Sequence, residues 1–323
     1  MFAMVIDGFG GAERLRPADL PIPAPGPGQV RVRVAAAGVN PADWKTREGF
    51  LSKYITYAFP FVLGFDLAGV VDAPGEGVEH PAPGTRVFGT SMQGQGHNGS
   101  YAEYALADAA MLQPIPDGIG FAQAAILPTA GTTALGGLVD VGGLTPGQSV
   151  LIHGGAGGVG SIAIPIAKAL GARVLATCSA RNTDHVLGLG ADLAIDYRSG
   201  DVVAACGAGV DLVLDAVGQG SLLPRATAIV RPGGTYVEIE TLLSAANADE
   251  IARAAAAGVR VVSNMIAIDR LPDQLRRLAA LVAHGAVIPP LTKTMPLREA
   301  AGAHRRIEAG HQRGKIALIV SEG

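Results

Sequence analysis

The sequence predicts an α/β protein in which a doubly wound parallel sheet is inserted into a β-rich domain. Three observations carry that prediction. Over the first 120 or so residues, short strand-like runs are separated by Pro/Gly punctuation. From about residue 123, apolar strands alternate with helix-like segments, the texture of a parallel sheet covered on both faces. After Asn264 too few elements remain to fold alone, so they return to the N-terminal domain. A length of 323 residues suits about two domains, and 49% hydrophobic with 16% charged residues suffices for two cores.

Taken in order, residues 29–34 alternate polar and apolar side chains with period two, behind a Pro/Gly run at 21–28 that excludes regular structure. Further strand-like runs fall at 69–72, 85–89 and 101–106. In the second region strands are expected at 150–153, 173–178, 193–197, 211–216, 235–239 and 260–264, the six of a full dinucleotide-binding sheet. Gly171 and Gly190 read as helix stops. Pro165 falls beyond the first turn of a helix and predicts a kink. An amphipathic stretch at 271–281, a helix near 297–309 and a strand at 315–320 close the chain. The expected domains are 1–122 plus 265–323 and 123–264, with a cleft at their junction.

The most informative stretch is His153-Gly154-Gly155-Ala156-Gly157-Gly158-Val159-Gly160, between a strand and the helix-like Ser161-Ile162-Ala163-Ile164. Gly155, Gly157 and Gly160 have the spacing of a dinucleotide cradle. There glycine permits a tight turn and lets bare N–H groups, with those of Ala156, Gly158 and Val159, approach a pyrophosphate at a helix start. Glycine also serves loops and close packing, the plainer reading of the same residues.

A net charge of −3 without a basic cluster gives no footprint for nucleic acid or an anionic membrane. No apolar run is long enough to span a bilayer, and the N-terminal segment breaks at Asp7, too early for a signal peptide. Cys178 and Cys206 form no Cys-x-x-Cys pair and are expected as reduced structural thiols in the cytoplasm. His80, His97, His153, His185, His284, His304 and His311 lack ligand spacing and read as surface, loop or helix residues.

Several segments, in order, together resemble the zinc-independent quinone oxidoreductase, or zeta-crystallin-like, branch of the medium-chain dehydrogenase/reductase superfamily. They are 37–45 with Asn40-Pro41-Ala42-Asp43, 63–71 with Gly64-Phe65-Asp66, Gly99-Ser100-Tyr101 onward, 128–134, the glycine loop, 190–197, and 310–316 with Gly314-Lys315. The resemblance spans nearly the whole chain and implies a Rossmann NADP-binding domain inserted in a GroES-like catalytic domain. It implies a zinc-free site too. Where related zinc alcohol dehydrogenases carry a cysteine and a histidine ligand, this chain has Asn40 and Phe65, and the third ligand position falls near Ile126. Paired relatives imply a homodimer by analogy only.

About 20 residues beyond the loop, where NAD-specific sites place an acidic residue, stand Ser179 and Arg181. Both suit the 2′-phosphate of NADPH, though the same residues also suit a strand exit and a helix cap. The resemblance adds Tyr197 beside that phosphate, Val217 and Gly218 beside the ribose, and Thr129 and Lys315 near the nicotinamide. Thr129 would otherwise cap a helix near Gly131, and Lys315 would otherwise be solvated on an edge strand. It also puts Asn40 and Asp43 on the nicotinamide side of the cleft, with Tyr54 as proton donor; turn chemistry and surface packing are their plainer readings.

These motifs suit an NADPH-dependent, metal-independent reductase passing hydride to a quinone or related conjugated carbonyl. They also suit an enone or enoyl-thioester reductase with a protein proton donor, or an NADPH-binding protein with a structural or regulatory role. The loops at 47–61 and 247–268 that would shape the substrate pocket are not legible in the sequence.

Overall fold

The computed structural model describes residues 1–93, 99–218, 221–239, 248–264 and 268–321. It divides into two compact units, Met1–Ala130 with Asp269–Ala283 and Pro289–Gly323, and Gly131–Ile268 with His284–Ile288. The divisions thus fall a few residues beyond 122 and 264, and the short run His284–Ile288 goes with the second unit.

The first unit opens with β1 (Phe2–Ile6), β2 (Arg16–Asp19), β3 (Gln29–Gly38), α1 (Pro41–Arg47), β4 (Phe61–Val62) and β5 (Asp66–Pro74). It continues with β6 (Arg86–Thr90), β7 (Tyr104–Asp108), β8 (Leu112–Pro114) and α2 (Phe121–Ala125), and α3 (Pro128–Leu135) carries the chain across the division at Ala130. Alternation in β3 buries Val30, Val32 and Val34 completely and turns Arg31 and Arg33 outward. Beyond Val34 the strand is buried on both faces, because α2 lies across β3 and β5, and the period-two signal disappears there.

In the second unit β9 (Ser149–His153), α4 (Gly160–Ala169), β10 (Arg173–Cys178), α5 (Thr183–Gly188), β11 (Leu193–Asp196) and α6 (Val202–Cys206) come first. They are followed by β12 (Val210–Asp215), α7 (Ala226–Ile229), β13 (Val230–Glu238), α8 (Ala248–Ala256) and β14 (Arg260–Ser263). All six strands are parallel in the order β11-β10-β9-β12-β13-β14, so the strand order reverses across the sheet between β9 and β12. Carboxyl ends of strands beside such a reversal form the crevice where this architecture takes ligands. β13 starts earlier than 235 because pairing with β12 begins at Val210↔Val230 and resumes at Leu212↔Thr235, with an irregularity over Pro232-Gly233-Gly234. α4 runs on through Pro165.

The chain then returns with α9 (Leu271–Ala283), β15 (Leu291–Pro296), α10 (Ala300–Glu308) and β16 (Lys315–Ile319). β16 pairs antiparallel with β3, completing a seven-stranded sheet in the order β15-β16-β3-β5-β6-β8 with β7 also on β3; β2-β1-β4 form a separate small sheet. β15, largely exposed at the edge, has no apolar alternation and was not expected. Cys178 and Cys206 are both buried and free, and burial raises the Cys206 thiol to about 11. Among the described residues no helix is long and apolar enough to cross a membrane.

Candidate functional site

At the carboxyl end of β9 the chain turns sharply at Gly154 (φ 81°) and enters α4 at Gly160. Gly155 donates its N–H to Thr177 O (2.8 Å) and Gly157 to Gly154 O (3.0 Å), so these two amides are consumed within the protein. Gly155 serves close packing here, with a Cβ there only 2.8 Å from Ala176 Cβ. Among the described residues, the N–H groups of Ala156, Gly158, Val159 and Gly160 have no protein acceptor. Four unpaired donors at the positive end of a helix make an anion cradle.

Polar side chains beneath the loop hold it. Thr177 Oγ1 accepts Gly154 N–H (3.0 Å) and lies 2.6 Å from His153 Nδ1, so His153 is a buried strand residue and not a surface one. Burial lowers its pKa, and the Asp215 carboxylate opposes that shift. Asp215 takes the N–H groups of Val217 (3.0 Å) and Gly218 (2.9 Å) and the Tyr236 hydroxyl (2.5 Å), fixing the turn after β12. Val217 thereby lies against Gly154, where a Cβ would come 2.9 Å from Val217 Cγ2.

Cys178 pairs with Asp196 in the β10–β11 register, so Ser179 and Tyr197 leave adjacent strand ends. Tyr197 donates its N–H to Cys178 O (3.1 Å) and is half-exposed; Arg181 is exposed on the turn after Ser179. Ser179 Oγ accepts from Asn182 Nδ2 (3.2 Å). Arg198, which sequence reasoning missed, donates Nε to the Tyr197 hydroxyl (3.2 Å), its guanidinium lying over that ring. Two arginines, a serine and a tyrosine thus share one strand-end corner.

The first unit holds a buried polar cluster of its own. Asn40 precedes α1, where its N–H donates to Asp43 Oδ2 (2.7 Å), and its Nδ2 donates to Asp66 Oδ2 (2.9 Å). Lys315 Nζ donates to Asn40 Oδ1 and to Val39 O (3.0 Å). Lys315 is 5% exposed and sits on β16 between β15 and β3, so it is neither solvated nor on an edge. Burial lowers its pKa, opposed by the Asp66 and Asp43 carboxylates. Burial raises Asp66, opposed by Lys315, and raises Asp43 to about 7 against the pull of the Asn40 amide.

Thr129 does not cap a helix near Gly131. The helix begins at Pro128, and Thr129 donates both N–H (3.0 Å) and Oγ1 (2.5 Å) to Asp66 Oδ1, so a carboxylate from β5 faces the helix start. Tyr54 is 64% exposed and enters none of these hydrogen bonds. Tyr57 instead is half-buried, donates to Thr46 O (2.9 Å), and has its phenol raised to about 12 by burial. Of the site residues expected in this unit, the structure joins Asn40, Asp43, Thr129 and Lys315, and leaves out Tyr54.

Tyr101, His304 and Arg47 were missed as well. Tyr101 donates to Asp43 Oδ2 (3.3 Å) and contacts His304 Nε2 (3.1 Å); Arg47 Nη1 contacts His304 Nδ1 (3.2 Å) and donates to Glu308 (2.6 Å). Burial lowers His304 to about 3, with Arg47 adding to the shift. Below about pH 6.5 the unfolded chain takes a proton that native His304 refuses down to about pH 3. This contribution therefore removes stability as pH falls through that window, about 1.4 kcal/mol per pH unit. In His304→Gln it is absent, so the variant's deficit against wild type should narrow as pH drops from about 7 to about 5 in urea titrations. A constant gap would contradict a buried neutral imidazole.

A family model described as an alcohol dehydrogenase GroES-like domain matches residues 26–117, and one described as a zinc-binding dehydrogenase matches residues 189–318. The chloroplastic NADPH-dependent alkenal/one oxidoreductase of Arabidopsis thaliana is 32% identical over 98% of this chain and 79% of its own length. The spectinabilin polyketide synthase system protein NorB of Streptomyces orinoci is 36% identical over 80% of this chain, which spans only 12% of that protein. The structure of Escherichia coli quinone oxidoreductase complexed with NADPH matches with a TM-score of 0.86 at 27% identity, covering 99% of this chain and 100% of that one. Fold, family models and relatives agree: the chain belongs to the medium-chain dehydrogenase/reductase superfamily, and quinone and alkenal oxidoreductases are among the proteins it is similar to.

Proposed function

We propose that this protein is an NADPH-dependent oxidoreductase that passes a hydride, without a metal ion, to a quinone or related conjugated carbonyl. The observation that carries the reading is the set of four unpaired N–H groups at the start of α4, framed by Gly155 and Gly160, which leave no room for a Cβ. These donors fit a pyrophosphate. Ser179, Arg181, Tyr197 and Arg198 at the neighbouring strand ends supply charge and hydrogen bonds suited to a 2′-phosphate. When bound, reduced nicotinamide supplies the hydride equivalent.

The protein's own residues bind, orient and supply polar contacts. Asn40 is held by Lys315 on one side and Asp66 on the other, which fixes its carboxamide and leaves its second Nδ2 proton without a partner among the described residues. That proton suits a carbonyl oxygen of cofactor or acceptor. Zinc, which the second family model's description names, finds no matching donors. Asn40 is already engaged, Phe65 has no ligating atom, and no group of three His, Cys, Asp or Glu side chains is placed to hold a metal among the described residues. The match to an alkenal/one oxidoreductase favours a second reading, reduction of an enone or enoyl thioester at the β carbon.

Arg181→Ala should raise the KM for NADPH about ten- to a hundredfold and leave that for NADH within about twofold. Equal losses for both, or none, would remove the 2′-phosphate assignment. Steady-state turnover across matched quinone, enone and enoyl-thioester panels decides the acceptor class.

A further inference from the structure

Arginine has donors only, so where Arg47 Nη1 meets His304 Nδ1 the imidazole nitrogen accepts. A neutral imidazole then carries its proton on Nε2 and donates it to the Tyr101 oxygen at 3.1 Å. With its oxygen accepting from His304, Tyr101 directs its own proton to Asp43 Oδ2. The remaining neighbours of that carboxyl, the N–H groups of Asn40 and Phe65 (3.1 Å), are donors as well. Among the described residues, Asp43 is therefore surrounded by hydrogen-bond donors with nothing to accept a proton from it. Arg47, Asp43, Tyr101 and His304 are all fully buried; α1 supplies both ends of the line of contacts, Arg47 and Asp43, and α10 supplies His304. The far end is anchored: Arg47 also donates to Glu308, to Glu48 (2.6 Å) and to Gly10 O (2.8 Å).

We propose that Arg47, His304 and Tyr101 form a one-way line of donors that keeps Asp43 a carboxylate and so fixes Asn40, making His304 and Tyr101 positioning residues for the reaction. Its catalytic consequence rests on the role given to Asn40 above; the line itself does not. Asp43 grips the Asn40 backbone, while Asp66 and Lys315 grip the Asn40 side chain, so the pose of the carboxamide depends on both. The charged and titratable groups acting on Asp43 are Asp66 and Lys315 through space and Tyr101 by contact, with His304 and Arg47 behind Tyr101. Burial pushes Asp43 towards neutrality, and the donors oppose it.

Nuclear magnetic resonance on the full chain tests the line without substrate. With labelled histidine, His304 should show the Nε2–H tautomer and no titration between about pH 5 and about pH 8. With labelled aspartate, Tyr101→Phe should move the Asp43 carboxyl midpoint up by about one pH unit, the size of one lost hydrogen bond to a charged group. An Nδ1–H tautomer, or an unmoved midpoint, overturns the proposal whatever the substrate is.

For positioning, Tyr101→Phe and His304→Gln should each lower kcat about tenfold with KM nearly unchanged, and the double variant should lose little more than either alone. Gln keeps a donor at the Nε2 position, so His304→Gln should stay more active than His304→Asn, whose amide is too short to reach Tyr101. Losses confined to KM, losses that multiply, or equal losses in both His304 variants would overturn the positioning role. If the magnetic resonance results hold while no quinone, enone or enoyl thioester is turned over, the functional reading fails and the positioning role with it, but the donor line stands.

Discussion

Gly160→Ala is expected to weaken NADPH binding at least about a hundredfold and to destabilise the second unit by roughly 2–4 kcal/mol. An alanine Cβ would fall well inside contact distance of the Gly154 carbonyl oxygen and 2.7 Å from Gly155 Cα. Both are backbone atoms, so neither can turn aside as a side chain would. The loop must open, and the N–H groups of Ala156, Gly158 and Val159 would then no longer converge on one anion. Gly157→Ala is the control: its Cβ meets only Gly154 O, at 3.3 Å, and a shift of a few tenths of an ångström accommodates it. Its affinity should fall less than about tenfold. Calorimetric titration with NADPH and thermal unfolding check both, and unchanged affinity in Gly160→Ala would end the cradle assignment.

The second large effect belongs to Lys315. Its ammonium is buried beside Asn40 with the Asp43 and Asp66 carboxyls near, and Lys315→Met leaves both carboxyls without that cation. Removing one partner from such a buried group costs about 3–5 kcal/mol. The pH dependence has a definite sign. Without the cation both carboxyls lie further above the unfolded value near 3.8, so above that pH the native state holds more protons than the unfolded chain. Stability then falls as pH rises through the window, and Lys315→Met should be firmer at about pH 5 than at about pH 8 relative to wild type. Adding Asp66→Asn should recover part of the loss. Urea midpoints at the two pH values check this, and a variant that weakens equally at both would show that the ammonium does not hold the carboxylates.

What could be read from the sequence was local. The glycine loop announced itself because three glycines at fixed spacing, behind an apolar strand, encode one backbone path. The six parallel strands were legible because each is a short apolar run between turn residues. The buried cluster was not, since Asn40, Asp66, Tyr101, His304 and Lys315 come from distant parts of the chain. His304 is the clearest case. Beside Arg305 and Arg306 it reads as part of a solvated helix face, yet α10 turns it fully inward while both arginines face solvent. Tyr54 and Tyr57 lie three residues apart with nothing local to rank them, and the packing of Tyr57 against Phe9 and Phe61 with its hydrogen bond to Thr46 O separates the two. The edge strand β15 was hidden for the opposite reason: its exposure leaves no apolar rhythm to detect. The early start of β13 follows from pairing with β12, a constraint its own Pro-Gly-Gly run conceals.

Both cysteines lie in the second unit, one closing β10 and the other closing α6, each shielded from reagent in the native state. Alkylation of these thiols can therefore serve as a clock for transient opening of the second unit alone, silent to the rest of the molecule. Timed with and without nucleotide, it would read how far a ligand slows that breathing from two sulfur atoms already in the chain.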